Sequence, residues 1–451
     1  MSVTPETLAG SAPPRAAAGG APWRWVHVGV AALAMVATLP GRTHGLGLFT
    51  EPILRSLQLD RESYGFVNLW ATLLGGLFCL PFGWLIDRLG TRAVLAGVMV
   101  ALGAVVLAMS GVSGTWSARW QLGLADLLGG QVELLLPWDL FLFLLLTRGL
   151  GQSALSVASL SLVGRSAGRR TGLVMGLYAF ATSAGFVVAF AVLREVIRAR
   201  PDDWRPVWAG IGIAVAVLGV VSGLLVRNRL LDADAARPQA AAAEASRTLG
   251  QALRSPAFWT FSLGTSFYGM VTAGISLFNE SILAERGFGK DVFLTVALLG
   301  VPVGLASNLL GGWLATRLPL GRLLGLALLG LCGALLSFQW VRTEEQVYLY
   351  AAALAAAGGV ITLCFFTVWR RGFGPAHLGQ VQGAAQMLTV LFSALGPQLF
   401  ASCQARLHSY LPLFAVLAAV SLALGAAAWA VGLPGPAGPR DAPGDQRDDL
   451  P

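Results

Sequence analysis

Long apolar runs separated by short polar breaks dominate this chain. A helix needs about 20 apolar residues to cross roughly 30 Å of hydrocarbon. Twelve stretches qualify, near residues 26–50, 64–85, 93–112, 138–162, 172–193, 206–226, 257–280, 292–314, 322–340, 347–369, 379–401 and 411–432. Three segments break the pattern: an Ala/Pro/Gly-rich stretch at 1–23, a polar Ala/Arg stretch at 227–255 and a Pro-rich charged tail at 433–451. The pattern predicts an all-α polytopic membrane protein with six-helix halves at 24–226 and 256–432. A disordered N-tail, a linker and a disordered C-tail complete it, all three cytoplasmic.

Composition narrows the class. Of 451 residues, 55% are hydrophobic and 12% charged, against about 25% charged in soluble chains. A soluble enzyme is excluded on that ground. The net charge of +8 is scattered between apolar runs, so nucleic acid is not an expected partner. Lys290 is the only lysine, and the arginine bias reads as the mark of a GC-rich genome. With both termini inside, 18 of the 31 basic residues fall on inner segments and 11 on outer loops, leaving Arg42 and Arg148 within spans. That asymmetry supports the orientation, and a bacterial inner (plasma) membrane is the expected location. Cys79, Cys332, Cys364 and Cys403 lie far apart in apolar segments and read as small buried hydrophobes.

An internal repeat sets the architecture. Residues 43–54 read THGLGLFTEPIL and residues 272–283 read TAGISLFNESIL, identical at seven of twelve positions. Continuing without a gap, GWLIDRL at 83–89 falls on GWLATRL at 312–318. Parallel six-helix halves of this kind are a transporter architecture.

The run Gly83-Trp84-Leu85-Ile86-Asp87-Arg88-Leu89-Gly90-Thr91-Arg92 resembles the loop between helices 2 and 3 of the major facilitator superfamily. The run 146–154, LTRGLGQSA, is similar to that family's arginine motif in helix 4. Residues 253–259 (LRSPAFW) and 393–397 (SALGP) resemble its monocarboxylate and oxalate/formate branches. The resemblance implies the major facilitator fold over 24–432 and alternating access around a midplane cavity. It also implies a gating latch at Gly83, Asp87, Arg88, Gly90 and Arg92 that holds the outward-open state. The second-half copy has Thr316 in place of Asp87, so the latch is expected to be asymmetric. The oxalate/formate relatives carry basic residues in helices 8 and 11. None occurs at 292–314 or 379–401 here, which favours a monocarboxylate over a dicarboxylate.

Candidate substrate contacts follow from polar residues within spans. Arg42 is expensive to bury, by about 2.5 kcal/mol or more, and its repeat partner is Val271. The fold therefore does not demand a charge there. Either it binds an anion, which a guanidinium grips well, or it snorkels to headgroups or caps carbonyls. His44 is either a proton carrier or an interfacial residue. Arg148, Gln152 and Ser156 share a helix face if the helix is regular, and Arg148 is either a coupling residue or a structural one. Ser266 belongs to a small polar stripe in the seventh span that serves packing or substrate contact. Gln382 and Gln386 in the eleventh favour a wet cavity, because unsatisfied amides are costly in hydrocarbon.

No acid falls at the centre of a span, which disfavours cationic substrates. No ATP-binding, metal-binding or hydrolase motif stands out, so catalytic residues, metals and cofactors are not expected. The reading is a monomeric secondary transporter of a small organic anion, with monocarboxylate as the class. Its alternatives are efflux of a neutral or amphipathic compound and a non-transporting sensor or scaffold that kept the fold.

Overall fold

The computed structural model describes residues 20–57, 61–112, 138–167, 171–199, 204–227 and 246–433. All regular structure among them is helical. Residues 1–19, 113–137, 228–245 and 434–451 lie outside the described residues. They hold most of the expected N-tail, the stretch between the third and fourth spans, most of the linker and nearly all of the C-tail.

Twelve helices are long and apolar enough to cross a membrane. The first half holds α1 (Trp23–Gly41), α2 (Tyr64–Leu89), α3 (Thr91–Ser110), α4 (Asp139–Ser166), α5 (Thr171–Ile197) and α6 (Trp204–Leu225). The second holds α7 (Pro256–Glu285), α8 (Asp291–Leu314), α9 (Leu320–Trp340), α10 (Glu344–Phe373), α11 (Leu378–Leu407) and α12 (Leu411–Ala430). Local chemistry sets several ends. Thr343 and Gln346 form a capping box ahead of α10. Gly90 stands between α2 and α3 at φ 84°, a conformation that a side chain would strain.

Packing repeats in the two halves. In the first, α1 packs on α5, α2 on α4 and α3 on α6. In the second, α7 packs on α11, α8 on α10 and α9 on α12. The halves meet where α2 crosses α11 and where α5 crosses α8. The repeat-equivalent glycines 83 and 312 occupy these two crossings. A Cβ on Gly83 would strike the carbonyl of Gly379, and one on Gly312 would lie 3.0 Å from Cα of Gly176. Small residues there let backbones of different halves touch. Both crossings lie toward the Asp87 end of the bundle. No α5 residue from Val187 to Ile197 is buried.

Candidate functional site

The first transmembrane segment is not the regular helix expected across 26–50. Its α-helical part ends at Val36, one 3-10 turn covers Leu39–Gly41, and Arg42 is extended at φ −95°, ψ 149°. Short helices follow at Thr43–Gly47 and Thr50–Leu57. Pro40 sits in the break and has no N–H to donate to the preceding turn, although Pro302 and Pro397 lie inside helices that continue. The repeat places Gly269 opposite Pro40, and α7 runs without interruption from Pro256 to Glu285. Irregular backbone is tolerated at membrane depth where protein buries it or a cavity borders it. Here Leu39, Pro40 and Gly41 are buried, and Arg42 faces a cavity.

Three neighbours hold the Arg42 side chain. Its Nε donates to Thr38 Oγ1 at 2.6 Å, and its Nη2 donates to Met35 Sδ at 3.0 Å and to Ser156 Oγ at 3.2 Å. Thr38 is itself fixed, donating to the Met35 carbonyl at 2.6 Å. The guanidinium carbon sits 5.3 Å from the Phe186 ring centroid, within cation–π range. Nη1 finds no acceptor among the described residues, and no described carboxylate pairs with Arg42.

The cavity measures about 270 Å³ and lies between the halves. Met35, Arg42, Ser156, Leu160, Thr182 and Phe186 contribute from the first half. Thr265, Tyr268, Phe365, Phe366, Gln386 and Thr389 contribute from α7, α10 and α11. Among the described residues of the lining, Arg42 is the only charged one, with no carboxylate and no histidine beside it. Hydroxyls and one carboxamide supply the remaining polarity.

The other expected contacts divide. Gln386 lines the cavity, and its carboxamide makes no hydrogen bond to a described residue. Ser266 stands just behind the lining, with Oγ 3.2 Å from Thr389 Oγ1. Gln382 lies outside it and accepts from Ser161 of α4 at 3.4 Å, bridging the halves. The His44 side chain is outside the described residues. Arg148 and Gln152 do not line the cavity. Arg148 is 1% exposed and donates to the Gly41 carbonyl, Thr43 Oγ1, Gln152 Oε1 and Asn68 Oδ1 at 2.6–3.2 Å. It therefore ties α4 to α2 and to the broken end of α1. The segment Arg148–Leu155 is π-helical, which changes the angular register of a helix. Ser156 reaches the cavity beside Arg42, while Arg148 and Gln152, bonded to each other one turn apart, meet the same broken stretch of α1 outside the lining.

At the Asp87 end the halves are fastened by one carboxylate. Asp87 Oδ1 accepts from Gly379 N at 2.9 Å and Arg165 Nη2 at 2.7 Å. Its Oδ2 accepts from Gln380 N at 3.0 Å and Gln380 Nε2 at 3.3 Å. Asp87 thus caps the N-terminus of α11 from the other half, where free N–H groups and the helix dipole favour an anion. Arg370 of α10 adds a second link, donating to the Gly164 carbonyl of α4. Arg88 and Arg92 act within their own half. Arg88 stacks 4.2 Å from Trp84, as its repeat partner Arg317 stacks 4.1 Å from Trp313. Arg92 donates to the Gly223 carbonyl at 2.6 Å. Thr316, at the Asp87 position of the second half, bonds only its own helix through the Trp313 carbonyl at 2.7 Å.

Sequence reasoning missed Arg165, Thr38, Ser156 as a cavity residue, and the aromatic lining. Arg165 looks like any inner-loop arginine. Phe186, Phe365 and Phe366 look like lipid-facing residues until their neighbours are known. Pro40 alone did not mark the break, since Pro302 and Pro397 lie inside helices that continue.

The family model described as Major Facilitator Superfamily matches residues 30–397. No curated protein matches the chain in sequence. Solved structures that share its fold include three transporters. The proton:xylose symporter XylE, bound to 6-bromo-6-deoxy-D-glucose, superposes with a TM-score of 0.67 at 13% identity, covering 91% of this chain and 96% of that one. The E. coli fucose:proton symporter FucP gives 0.62 at 14%, covering 90% and 98%. The human organic anion transporter MFSD10 (TETRAN) gives 0.61 at 17%, covering 92% and 100%.

Proposed function

The chain belongs to the major facilitator superfamily and is an integral membrane transporter of that family, and we propose that its cargo is a small organic anion, with monocarboxylate as the class. The observation that carries this is Arg42, a guanidinium whose Nη1 has no acceptor among the described residues, in a cavity lined by no described acid. Such a cation is costly in a low-dielectric site unless an anion neutralises it. The segments 253–259 and 393–397 point the same way by resembling the monocarboxylate branch. The fold likeness alone does not choose between a sugar and an anion.

In this reading the halves 24–226 and 256–432 rock about the cavity. Both termini are cytoplasmic in a bacterial inner membrane, the protein works as a monomer, and the Asp87 latch closes the inner side. The gating role rests on the bonds that Asp87 makes across the halves. Arg148 acts at one remove, by holding the broken end of α1 in place.

The test is flux in proteoliposomes. Arg42→Gln should abolish carboxylate transport while the protein still folds and inserts. Arg42→Lys should recover only part of it, because an ammonium lacks the planar fork that Thr38 and Ser156 hold. Efflux of a neutral or amphipathic compound is the second reading, favoured by the aromatic lining. It predicts that Arg42→Gln transports normally.

A further inference from the structure

We propose that the cavity selects an aryl monocarboxylate: one carboxylate at Arg42 and Ser156, and a flat aromatic ring among Phe186, Phe365, Phe366 and Tyr268. This rests on the anion reading above and narrows it.

The charge count comes first. The lining offers one cation and no other formal charge. A second carboxylate would be desolvated without a partner, which is strongly unfavourable.

The grip is specific. Nε and Nη2 of Arg42 are already bound to Thr38, Met35 and Ser156, which leaves the two N–H groups of Nη1. Ser156 Oγ accepts from Arg42, so its own O–H is available to donate, and both residues line the cavity. One carboxylate oxygen would take an N–H from Nη1 and the other the O–H of Ser156. The usual two-nitrogen fork is not needed.

The walls select the body of the molecule. Four aromatic side chains line a space of about 270 Å³. At roughly 30 Å³ per water that is the room of about nine waters, or on the order of ten non-hydrogen atoms. Two rings are braced from behind. Phe366 meets Tyr178 edge-on with centroids 5.3 Å apart, and Phe365 meets Trp369 edge-on at 5.6 Å. Braced rings offer fixed faces and edges, and aromatic pairs in offset or edge-to-face contact gain more than their buried area alone supplies.

The test is titration calorimetry on the purified full-length protein with benzoate, cyclohexanecarboxylate, acetate, phthalate and benzyl alcohol. Benzoate should bind about two- to tenfold tighter than cyclohexanecarboxylate, from ring–ring contact. It should bind on the order of tenfold or more tighter than phthalate or benzyl alcohol. Arg42→Gln should erase the gap between benzoate and benzyl alcohol. If cyclohexanecarboxylate, acetate or phthalate matches benzoate, the aryl monocarboxylate selectivity is overturned and the anion reading stands. If benzyl alcohol matches benzoate, or no carboxylate binds, both are overturned.

Discussion

Replacing Asp87 with Asn should open the end of the bundle that this carboxylate now closes. The change keeps size and shape but removes the charge and one acceptor. Asp87 receives two backbone N–H groups of α11, the Gln380 amide and the Arg165 guanidinium. In the variant the new NH₂ faces a donor, so one α11 N–H loses its acceptor and Arg165 loses its counter-charge. The side chains of Asp87 and Arg165 are 6% and 18% exposed, so solvent screens the pair only in part. A hydrogen bond to a charged group contributes about 1.5–3 kcal/mol, and the four bonds are not additive because they share one carboxylate. A loss of about 2 kcal/mol is reasonable, and it shifts a two-state equilibrium roughly thirtyfold. The three bonds to Gly379 and Gln380 exist only while α2 and α11 touch, so their loss falls on the closed arrangement, whereas Arg165 lies in the same half as Asp87 and holds the carboxylate in place. Spin labels at the exposed positions Leu89 and Thr316 would report the separation of the halves by pulsed electron resonance. The half-buried Cys403 should first be replaced by serine, while Cys79, Cys332 and Cys364 are buried. The expected result is a growing population at longer distance. Arg165→Gln should give a smaller shift in the same direction, and the double variant should add little to Asp87→Asn alone. An unchanged distance distribution in a folded Asp87→Asn protein would refute the latch.

Three further outcomes follow from the site. Pro40→Ala restores a donor to the break in α1 and should let the helix continue; transport should fall well below wild type with little change in Tm, and normal transport would show that the break is incidental. Ser156→Ala removes one arm of the grip and an anchor of Arg42, so the KM for a carboxylate should rise about three- to tenfold with kcat nearly unchanged. Arg148→Met strands Asn68 and the Gly41 carbonyl and should lower stability by about 2–3 kcal/mol, read as a drop in Tm; an unaltered Tm would undercut its role as a tie between α1, α2 and α4.

Several features were legible because they depend on a few residues in a row. GWLIDRLGTR singled out Asp87, and its copy carries Thr316 instead; Asp87 bonds across the halves, while Thr316 bonds its own helix. Arg42 stood out because its repeat partner is Val271. Arg148 and Gln152 were equally conspicuous as polar residues in a span, yet the two Nη groups of Arg148 are taken up by Gln152 and by neighbouring segments, with only Nε left without a described partner. Polarity inside a span signals that a partner exists without saying whether that partner is protein or cargo.

The sequence by itself determined the twelve spans, the two-fold repeat and the family, because a bilayer demands long apolar helices and duplication leaves matching words. Only the tertiary structure decided which polar groups meet. Arg42 faces the cavity at the break in α1, Ser156 of α4 meets it there, and the crossing of α2 with α11 sets Asp87 on a helix end. The physical reason is that apolar patterning fixes how deep a residue lies in the membrane. Which neighbour it faces depends on helix rotation and backbone irregularity, and these are settled by packing between segments far apart in the chain.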